Sequence, residues 1–458
     1  MNAILLIDFG STYTKVTAVD TESEEILGTA SSYTTIETDI NDGLNNALKL
    51  LFEKTGSIEF AERYACSSAA GGLRMVTSGF VKNLTAEASR LASLGAGAKV
   101  VGVYSYELTE DDIVEIDASR PDIILLTGGT DGGNTECILK NAKMISTLKT
   151  DCPVVVAGNR AAAKECASIL SQNGREVHVE KNVMPRFSEL CIEPAQNAIR
   201  EIFLKRIVKA KGLSEASELI SGIIMPTPSA VQQAMVLLAD GTENEQGIGE
   251  LVAVDLGGAT TDVYSVAEGF PQNSSTVLKG LPEPRVKRTV EGDIGMRYSI
   301  HGIADAATIK AVSQLAQCSE ERCIEMIDYL SEHTDEVPTT EEFKNLDRAL
   351  ASLAIEMAVK RHAGTVEQVY TPMGLAFAQE GKDLSAVHNL VATGGALIHS
   401  DCAKEIAAFA QAKANDPASL RPKEAKVLVD EKYILAAMGL LSEHYPEVAL
   451  RIMKKELV

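Results

Sequence analysis

Tight turns that carry glycine and hydroxyl-bearing residues expose successive backbone N–H groups, which together bind phosphate well. A turn of this kind ends the first apolar run of the chain and contains Asp8, Gly10, Ser11 and Thr12. Lys15 follows on the next apolar stretch, where its ammonium group can reach a phosphate as a point charge. Asp8 can hold a hydrated magnesium ion, which takes few carboxylates and keeps several waters. The segment therefore predicts a phosphate and magnesium site.

The same arrangement recurs 247 positions later, in the segment LVAVDLGGATTDVYSV at 251–266. This shift places Asp8 on Asp255 and Gly10 on Gly257. The phosphate-binding residues predicted in the second turn are Gly257, Gly258, Ala259 and Thr260. One Asp-x-Gly turn alone is common in proteins, but its recurrence between similar apolar runs indicates two related halves. Asp255 is then the second predicted magnesium ligand.

The apolar residues on either side of each turn predict two strands that form a β-hairpin, with the turn at its tip. In the first half, a third strand is predicted near Ile26 to Ala30. Apolar residues at helical spacing then predict a helix across 44–52, and a further strand is predicted at Tyr64 to Ser67. The first half therefore opens with three strands, a helix and another strand.

Between 68 and 209 the chain alternates helical stretches with short apolar runs, which is typical of a parallel α/β layer. The predicted fold class is therefore α/β, with two related halves and an α/β insertion in the first. A long helical stretch is predicted from 306 to 363, and a closing helix near Ile434 to Leu441. The predicted parts are 1–67 for the start of the first half, 68–209 for the insertion, 210–250 for the connection and return to the core, and 251–458 for the second half.

The bulk composition excludes several classes of protein. With 458 residues the chain exceeds the ~250–300 at which a single core stops growing, so several domains are expected. Its 43 Lys and Arg against 64 Asp and Glu give a formal charge of -21, which disfavours nucleic acid and anionic lipid as partners. The sequence has neither a run of about 20 apolar residues nor a basic leader, so we expect no membrane segment and a cytoplasmic location. Its 8 cysteines form no CxxC pair, which favours reduced thiols.

Five segments together resemble the superfamily of actin, the sugar kinases and the seventy-kilodalton heat-shock chaperones. They are Asp8 to Lys15 for the first phosphate loop, Gly222 to Ala230 for the first connecting helix, Asp255 to Asp262 for the second phosphate loop, Val391 to Ala396 for the adenosine loop, and Val429 to Leu441 for the second connecting helix. The resemblance implies two actin-like, ribonuclease-H-like ATPase halves that close over Mg-ATP. It also implies that Gly394 and Gly395 lie against the adenosine.

Three shorter strings narrow the resemblance to the MutL or GlmL family, which is unrelated to the mismatch-repair protein of the same name. They are CSSAAGGLRM at 66–75, PTPSAV at 226–231 and EGDIGMR at 291–297. Members of this family are encoded with adenosylcobalamin-dependent glutamate mutase and related aminomutases, and they are regarded as accessory or reactivating proteins. The resemblance therefore implies a mutase as protein partner, with ATP or ADP and Mg²⁺ as cofactors.

One departure from the superfamily bears on ATP hydrolysis. Where the chaperones have a glutamate before the proline of the first connecting segment, this chain has Met225, so no carboxylate is inherited there to orient the attacking water. The other acidic candidates are Asp8, Asp255 and Asp262 for catalysis and Glu291 for contact with the nucleotide. Glu291 and its neighbour Asp293 could equally cap backbone turns. We therefore expect a weak ATPase that acts as a conformational switch.

Two other functions of the same fold remain open at this point. A small-molecule kinase needs a carboxylate base beside an acceptor pocket, and no segment clearly supplies that pocket. An electron donor like the activators of hydroxyacyl-CoA dehydratases needs cysteines for an iron–sulfur cluster, and only Cys318 and Cys323 are close enough in sequence. The sequence does not identify the client mutase, does not say whether the chain forms a homodimer, and does not say whether the insertion contacts the client.

Overall fold

The computed structural model describes residues 2–10, 13–34, 40–68, 73–172, 174–210, 223–371, 374–398 and 400–457. The strands within these residues are numbered β1 to β18 in chain order. Ser11 and Thr12 of the first predicted turn lie outside the described residues. The helices are referred to by their residue ranges.

The first half is built on a five-stranded sheet with the order β10-β4-β1-β2-β3. Its strands are β1 (Ala3–Phe9), β2 (Tyr13–Asp20), β3 (Glu25–Tyr33), β4 (Glu62–Ser67) and β10 (Ile223–Pro226). β1, β2 and β3 form an antiparallel meander, while β4 and β10 run parallel to β1. The helix Ile40–Thr55 connects β3 to β4. Every residue of β1 is buried, as expected for a near-continuous apolar strand at the centre of a covered sheet.

The second half repeats this sheet strand for strand, with the order β14-β12-β11-β17-β18. Its strands are β11 (Leu251–Leu256), β12 (Thr261–Val266), β14 (Val286–Glu291), β17 (Asn389–Thr393) and β18 (Lys426–Val429). β11, β12 and β14 are antiparallel, while β17 and β18 run parallel to β11. The identical order and directions confirm the predicted α/β fold of two related halves.

The segment of the chain between β4 and β10 forms a separate parallel sheet, with the strand order β6-β5-β7-β8-β9. This sheet is the α/β insertion. Its strands are β5 (Arg74–Gly79), β6 (Lys99–Ser105), β7 (Ile123–Leu126), β8 (Val154–Val156) and β9 (Val177–Val179). The associated helices are a π-helical turn Lys82–Ala86 followed by Glu87–Gly95, Glu110–Ser119, Glu136–Ser146 and Arg160–Ser171, and Glu193–Ala210 comes after β9. All five strands fall within the range 68–209.

The region of the helical stretch expected over 306–363 contains several helices, and the first of them begins before it. They are Ile300–Ala307, Ile309–Ala316, Glu320–Glu332 and Glu341–His362. Thr308, Ser319 and Thr340 each accept a hydrogen bond from a backbone N–H in the first turn of the helix that follows. Such side-chain caps start new helices, so the breaks coincide with hydroxyl residues. The long helix Glu341–His362 packs its buried face against β11 and β12 through residues that include Leu350 and Ile355.

A small three-stranded sheet in the second half was not predicted. It consists of β13 (Thr276–Lys279), β15 (Thr365–Thr371) and β16 (Gly374–Glu380), in the order β13-β16-β15. β15 and β16 form an antiparallel hairpin, and β13 runs parallel to β16. Short helical turns follow β17 at Gly395–Ile398, Ala403–Ala407 and Ala408–Ala410.

The chain divides into two compact units. One contains Met1–Ala234 and Ala436–Ala449, and the other contains Met235–Leu435 and Leu450–Val458. The chain passes from one unit to the other within the helices Thr227–Asp240, Leu435–Ser442 and Pro446–Glu456. The predicted closing helix corresponds to Leu435–Ser442, and the helix after it was not predicted. Across the described ranges, no helix is both long enough and apolar enough to cross a lipid bilayer.

Candidate functional site

The first hairpin turn follows β1 and is too tight for a side chain at its glycine. The N–H of Gly10 donates to the carbonyl oxygen of Tyr13 at 3.1 Å. A Cβ atom at Gly10 would lie 2.5 Å from that same oxygen, a distance that Cβ atoms do not adopt. Glycine is therefore required here by the space at the tip of the hairpin.

Asp8 lies at the end of β1 and is 6% exposed. The hydroxyl of Thr227 donates a hydrogen bond of 2.6 Å to its Oδ1. The Cys66 thiol lies 3.5 Å from the same oxygen, and Lys15 Nζ lies 3.8 Å from Oδ2. The sheet register explains these contacts, because Asp8 pairs with Lys15 on β2 and with Cys66 on β4. The predicted pair of Asp8 and Lys15 is thus brought together, with two further residues beside it.

The Cys66 thiol does not add a charge to this group. Burial raises the pKa of the Cys66 thiol well above its ordinary value, and the nearby Asp8 carboxylate raises it further. The side chain therefore stays a neutral thiol at physiological pH and can act as a weak donor toward Asp8.

The second hairpin turn has the same construction. The N–H of Gly257 donates to the carbonyl oxygen of Thr260 at 3.0 Å. A Cβ atom at Gly257 would lie 2.8 Å from that oxygen. Gly258 and Ala259 at the tip are exposed. The predicted phosphate-binding residues of the second half therefore form one accessible tight turn.

The loop 292–299 holds the outer side of this second turn. The carbonyl oxygen of Gly258 accepts hydrogen bonds from the N–H groups of Arg297 at 2.8 Å and Tyr298 at 3.0 Å. The hydroxyl of Ser299 donates to the carbonyl oxygen of Ala259 at 2.8 Å. The string EGDIGMR, which was recognised from its resemblance alone, thus leads into the segment that fixes the turn.

Asp255 is half-buried at the position in β11 that Asp8 has in β1. The hydroxyl of Tyr433 lies 3.4 Å from Asp255 Oδ1 and donates a long hydrogen bond to it. Across the hairpin, Asp255 pairs with Asp262, which takes the place that Lys15 has in the first half. The two hairpins therefore share their strand pairing and the glycine hydrogen bond but differ in charge beside the first-strand aspartate.

Asp262 is neutralised by a buried arginine. Arg288 on β14 donates to Asp262 Oδ1 from Nε at 2.9 Å and from Nη2 at 2.6 Å. Asp262 Oδ2 accepts a hydrogen bond from the Thr260 hydroxyl at 3.3 Å. Burial lowers the pKa of Arg288, but the charges of Asp262 and Tyr264 and the hydrogen bonds to both together raise it above its ordinary value, so the arginine stays protonated. Because both carboxylate oxygens have partners, this arrangement favours a structural role for Asp262 over that of a general base.

Glu291 at the end of β14 is also ion-paired. Arg361 Nη1 lies 2.7 Å from Glu291 Oε2 and 2.8 Å from Asp293 Oδ1. The hydrogen bond from Arg361 is the main cause that holds the pKa of Asp293 below its ordinary value. The structure thus places both acidic candidates with Arg361 on the helix Glu341–His362.

The two glycines predicted at the adenosine differ in their surroundings. Gly394 is buried, has a φ of 118°, and would place a Cβ atom 2.3 Å from the carbonyl oxygen of Leu256. Gly395 is exposed, and a Cβ atom there would meet nothing within 4 Å. Only Gly394 is therefore required by the fold itself.

Asp430 fixes the segment that follows β18. This residue is 1% exposed, and its carboxylate accepts hydrogen bonds from the N–H groups of Ile434 at 2.9 Å and Leu435 at 3.2 Å. Thr393 at the end of β17 donates its hydroxyl to the same carboxylate at 3.2 Å. Asp430 thereby caps the helix Leu435–Ser442 and ties its start to the strand that precedes Gly394.

Metal-binding clusters are absent from the described parts of the chain, in the sense that no three His, Cys, Asp or Glu side chains converge there. Cys318 and Cys323 lie side by side, with 2.8 Å between their Sγ atoms. Burial raises the pKa of Cys323 to about 12. A hydrated magnesium ion does not need such a cluster, since it binds through one or two carboxylates and several waters.

Thr227, Cys66 and Tyr433 were missed as site residues. Thr227 and Cys66 belong to strings that the sequence singled out, but nothing in those strings indicates contact with Asp8, which is 219 and 58 residues away. Tyr433 has no motif of its own and is 178 residues from Asp255. The hydroxyls of Thr227 and Tyr433 both lie in the segment that follows the fifth strand of their half, and this shared place is the signal that could have indicated them.

Comparison with known proteins gives a consistent result over the whole chain. A family model described as MutL protein matches residues 4–457. The protein called Protein MutL from Clostridium tetanomorphum is 49% identical over 461 residues, with 100% of each chain covered.

Solved structures align over similar lengths but with low scores. The diol dehydratase-reactivating factor in nucleotide-free form is 12% identical with a TM-score of 0.34, over 97% of this chain and 100% of that one. The activator of the 2-hydroxyisocaproyl-CoA dehydratase from Clostridium difficile with bound ADPNP is 12% identical with a TM-score of 0.32, over 100% and 98%. At these scores the alignments support no argument about function.

Proposed function

Because the chain belongs to the MutL protein family, we propose that it binds Mg-ATP and acts as an accessory protein for an adenosylcobalamin-dependent aminomutase. In this proposal the chain reactivates or assembles a mutase such as glutamate mutase, and slow ATP hydrolysis resets it. The mutase is the protein partner, and ATP, ADP and Mg²⁺ are the ligands.

The observation that carries the proposal is the duplicated hairpin turn. In each half an aspartate is the next-to-last residue of the first strand, and the glycine two positions later closes a turn that has no room for a Cβ atom. Turns of this kind present backbone N–H groups to an anion without needing a positive side chain. The net charge of the chain is -21, which does not attract an anion. Phosphate binding would therefore depend on the backbone N–H groups of the two turns.

The residues present fit a magnesium nucleotide. Asp8 and Asp255 would hold the ion through its waters, because each is a carboxylate at the base of a phosphate-binding turn. Lys15 would contact a phosphate, and Gly394 and Gly395 would lie against the adenosine. When bound, magnesium would neutralise part of the phosphate charge. The residues that would bind the phosphates are Gly10, Ser11, Thr12, Gly257, Gly258, Ala259 and Thr260.

A nucleotide can drive a client only through a difference in its affinity for two states of the protein. ATP and ADP differ by the γ-phosphate, which is the group that phosphate-binding turns would contact. We propose that this difference changes the affinity of the chain for the mutase. A mutase that holds damaged cofactor could then be opened and could exchange it for intact adenosylcobalamin.

Calorimetric titration with ATP and with ADP tests the binding site directly. Asp8→Ala and Asp255→Ala should each reduce affinity about tenfold with magnesium and much less with EDTA, because each removes a carboxylate that holds the ion. Glu107→Ala and Asp328→Ala are matched controls, since these carboxylates are 56% and 61% exposed and lie elsewhere. A wild-type protein that is indifferent to both nucleotides with magnesium present would end the proposal.

The client assay tests the biological role. An aminomutase is inactivated by turnover, and the protein is added with ATP, magnesium and fresh adenosylcobalamin while mutase activity is followed. We expect recovery with wild type and with Asp328→Ala, and little recovery with Asp255→Ala. Equal recovery with Asp255→Ala, or without any nucleotide, would rule out an ATP-driven reaction.

A further inference from the structure

A connecting helix follows the fifth strand of each repeated sheet. In the first half, β10 leads directly into the helix Thr227–Asp240. In the second half, β18 leads through 430–434 into the helix Leu435–Ser442. Since the two sheets share one topology, these two junctions occupy equivalent places in the fold.

At the first junction, a hydroxyl binds the aspartate of the first strand. Thr227 is the first residue of its helix, and its Oγ1 lies 2.6 Å from Asp8 Oδ1. A hydroxyl that donates to an ionised carboxylate at this distance makes a strong, charge-assisted hydrogen bond. The Cys66 thiol lies 3.5 Å from the same oxygen and is a weaker donor, so Oδ1 has two uncharged donors beside it. Lys15 lies on the side of Oδ2.

At the second junction, a different residue type makes the corresponding contact. Tyr433 lies just before its helix with a φ of 55°, a left-handed conformation that tyrosine adopts rarely. The Asp430 cap holds the same segment through the N–H groups of Ile434 and Leu435. From this conformation the Tyr433 hydroxyl reaches to 3.4 Å from Asp255 Oδ1. Backbone strain at Tyr433 therefore coincides with a contact to the predicted magnesium ligand.

We infer that Thr227 and Tyr433 are positioning residues that orient Asp8 and Asp255 for the metal-bound nucleotide. The inference rests on the proposed function of these two aspartates. A carboxylate with one oxygen held by a hydroxyl keeps its other oxygen in a fixed direction, so less freedom is lost when it binds a metal-bound water. Partners of this kind behind a metal ligand typically change metal affinity by about 10–100-fold.

The geometry also ranks the two contacts. The Thr227 hydrogen bond has an ordinary length for a hydroxyl donor, whereas the Tyr433 contact is longer than the usual range of about 2.5–3.0 Å. Loss of the Thr227 hydroxyl should therefore have the larger effect. Thr227 begins one connecting helix and Tyr433 directly precedes the segment that begins the other. The two hydrogen bonds therefore connect each aspartate to the start of a helix.

The test compares affinity for ADP with and without magnesium. Thr227→Val keeps the shape of the side chain, and we expect it to lose about tenfold in the magnesium-dependent part of the affinity, with ADP affinity in EDTA unchanged. Thr227→Ser restores a hydroxyl and should return affinity to within about twofold of wild type. Tyr433→Phe should lose about threefold. Thermal unfolding without ligand should be close to wild type for Thr227→Ser and Tyr433→Phe. Thr227→Val should unfold at a lower temperature, because it removes a hydrogen bond to a buried carboxylate, and its unchanged ADP affinity in EDTA then shows that the site is still folded.

Two control variants remove hydroxyls that do not touch these aspartates. Ser229→Ala lies in the same helix as Thr227, but its hydroxyl donates to the Ala96 carbonyl oxygen. Tyr329→Phe removes a hydroxyl–carboxylate bond to Glu336 in the second half. Both should keep the magnesium-dependent affinity of wild type. An equal loss in these controls would overturn the inference, because it would show a general effect of hydroxyl removal.

The outcomes separate this inference from the proposed function. If wild type shows magnesium-dependent ADP binding that Asp8→Ala weakens, but Thr227→Val behaves as wild type, only the positioning role falls. If Thr227→Val in an Asp8→Ala background causes the full loss again, Thr227 acts independently of Asp8 and the inference is also wrong. If the wild-type protein shows no magnesium-dependent binding of ADP, both the proposed function and the positioning role are wrong.

Discussion

Two adjacent glycines in the turn after β17 have different surroundings. Gly394 has a positive φ and lies against the backbone of Leu256, while Gly395 faces open space. Both were predicted to contact adenosine, yet only the second is free to be chosen for that purpose.

We therefore predict opposite results for alanine at these positions. Gly394→Ala should lower the free energy of unfolding by about 2 kcal/mol or more, because the left-handed backbone and the contact with the Leu256 carbonyl oxygen both disfavour a side chain. Gly395→Ala should leave stability within about 0.5 kcal/mol of wild type. Denaturant unfolding measures both. If Gly395 lies against the adenosine, its variant should instead weaken ADP binding in calorimetry.

A buried lysine gives a prediction about pH. Lys382 is fully buried and donates from Nζ to the carbonyl oxygens of Pro284 at 2.8 Å and Arg285 at 2.6 Å. Burial lowers its pKa from 10.5 to about 7, and the neighbouring charge of Lys287 adds to this. Between these two values the unfolded chain binds the proton and the folded chain does not. Stability should therefore rise with pH across this window.

The measurement is the free energy of unfolding of wild type and Lys382→Met from pH 6 to pH 9. The difference between the two should favour wild type increasingly above pH 7, by at most about 1.4 kcal/mol for each pH unit. Below pH 7 the lysine is protonated in both states, so the difference should be flat. A constant difference across the whole range would show that Lys382 keeps its proton in the fold.

At the scale of elements, Asp430 decides where the helix Leu435–Ser442 begins. Asp430→Ala should lower the free energy of unfolding by about 2 kcal/mol, since it removes the acceptor of two helix N–H groups in a buried place. Asp430→Asn keeps one acceptor oxygen and should cost less. Chemical denaturation compares the variants. Equal losses for both would show that the charge of Asp430, rather than its acceptor oxygens, stabilises the helix.

The sequence predicted elements where the apolar pattern and the turn residues agree. Both hairpins were found because an apolar run, an aspartate–glycine turn and a second run occur twice. The insertion was predicted as a parallel α/β layer because short apolar runs alternate there with helical stretches. The hairpin of β15 and β16 escaped because its strands carry exposed residues such as Tyr370, at 90% exposure, and Leu375. A strand with few buried apolar residues gives little apolar signal in the sequence.

The candidate site was predictable only in its local part. Each aspartate–glycine pair belongs to one hairpin, so the spacing of the two residues in sequence reflects their geometry. The pairs are Asp8 with Gly10 and Asp255 with Gly257. The contacts of Thr227 and Tyr433 depend instead on where the fifth strand ends, which is a property of the whole sheet. Likewise, nothing local indicates that Arg288 neutralises Asp262, because the two belong to different strands.

At the scale of the whole molecule, the net charge of -21 limits the partners. We predict no binding to a labelled DNA duplex in fluorescence anisotropy at physiological ionic strength, because the summed negative field repels a polyanion that comes within about a Debye length of 8 Å. A basic DNA-binding protein serves as positive control. Saturable binding that weakens steeply with added salt would contradict this and would reveal a local basic surface.

The shared topology of the two sheets has an evolutionary consequence. The same five-strand frame carries its large additions at different places, since the first half is extended between its fourth and fifth strands and the second half between its third and fourth. A duplication that preceded both additions explains this most simply, because duplication of an already extended frame would have copied the addition. The parallel sheet of the insertion is then a later acquisition without a counterpart in the second half. The helices 300–362 extend the connection between the third and fourth strands, which the first half makes with the single helix Ile40–Thr55.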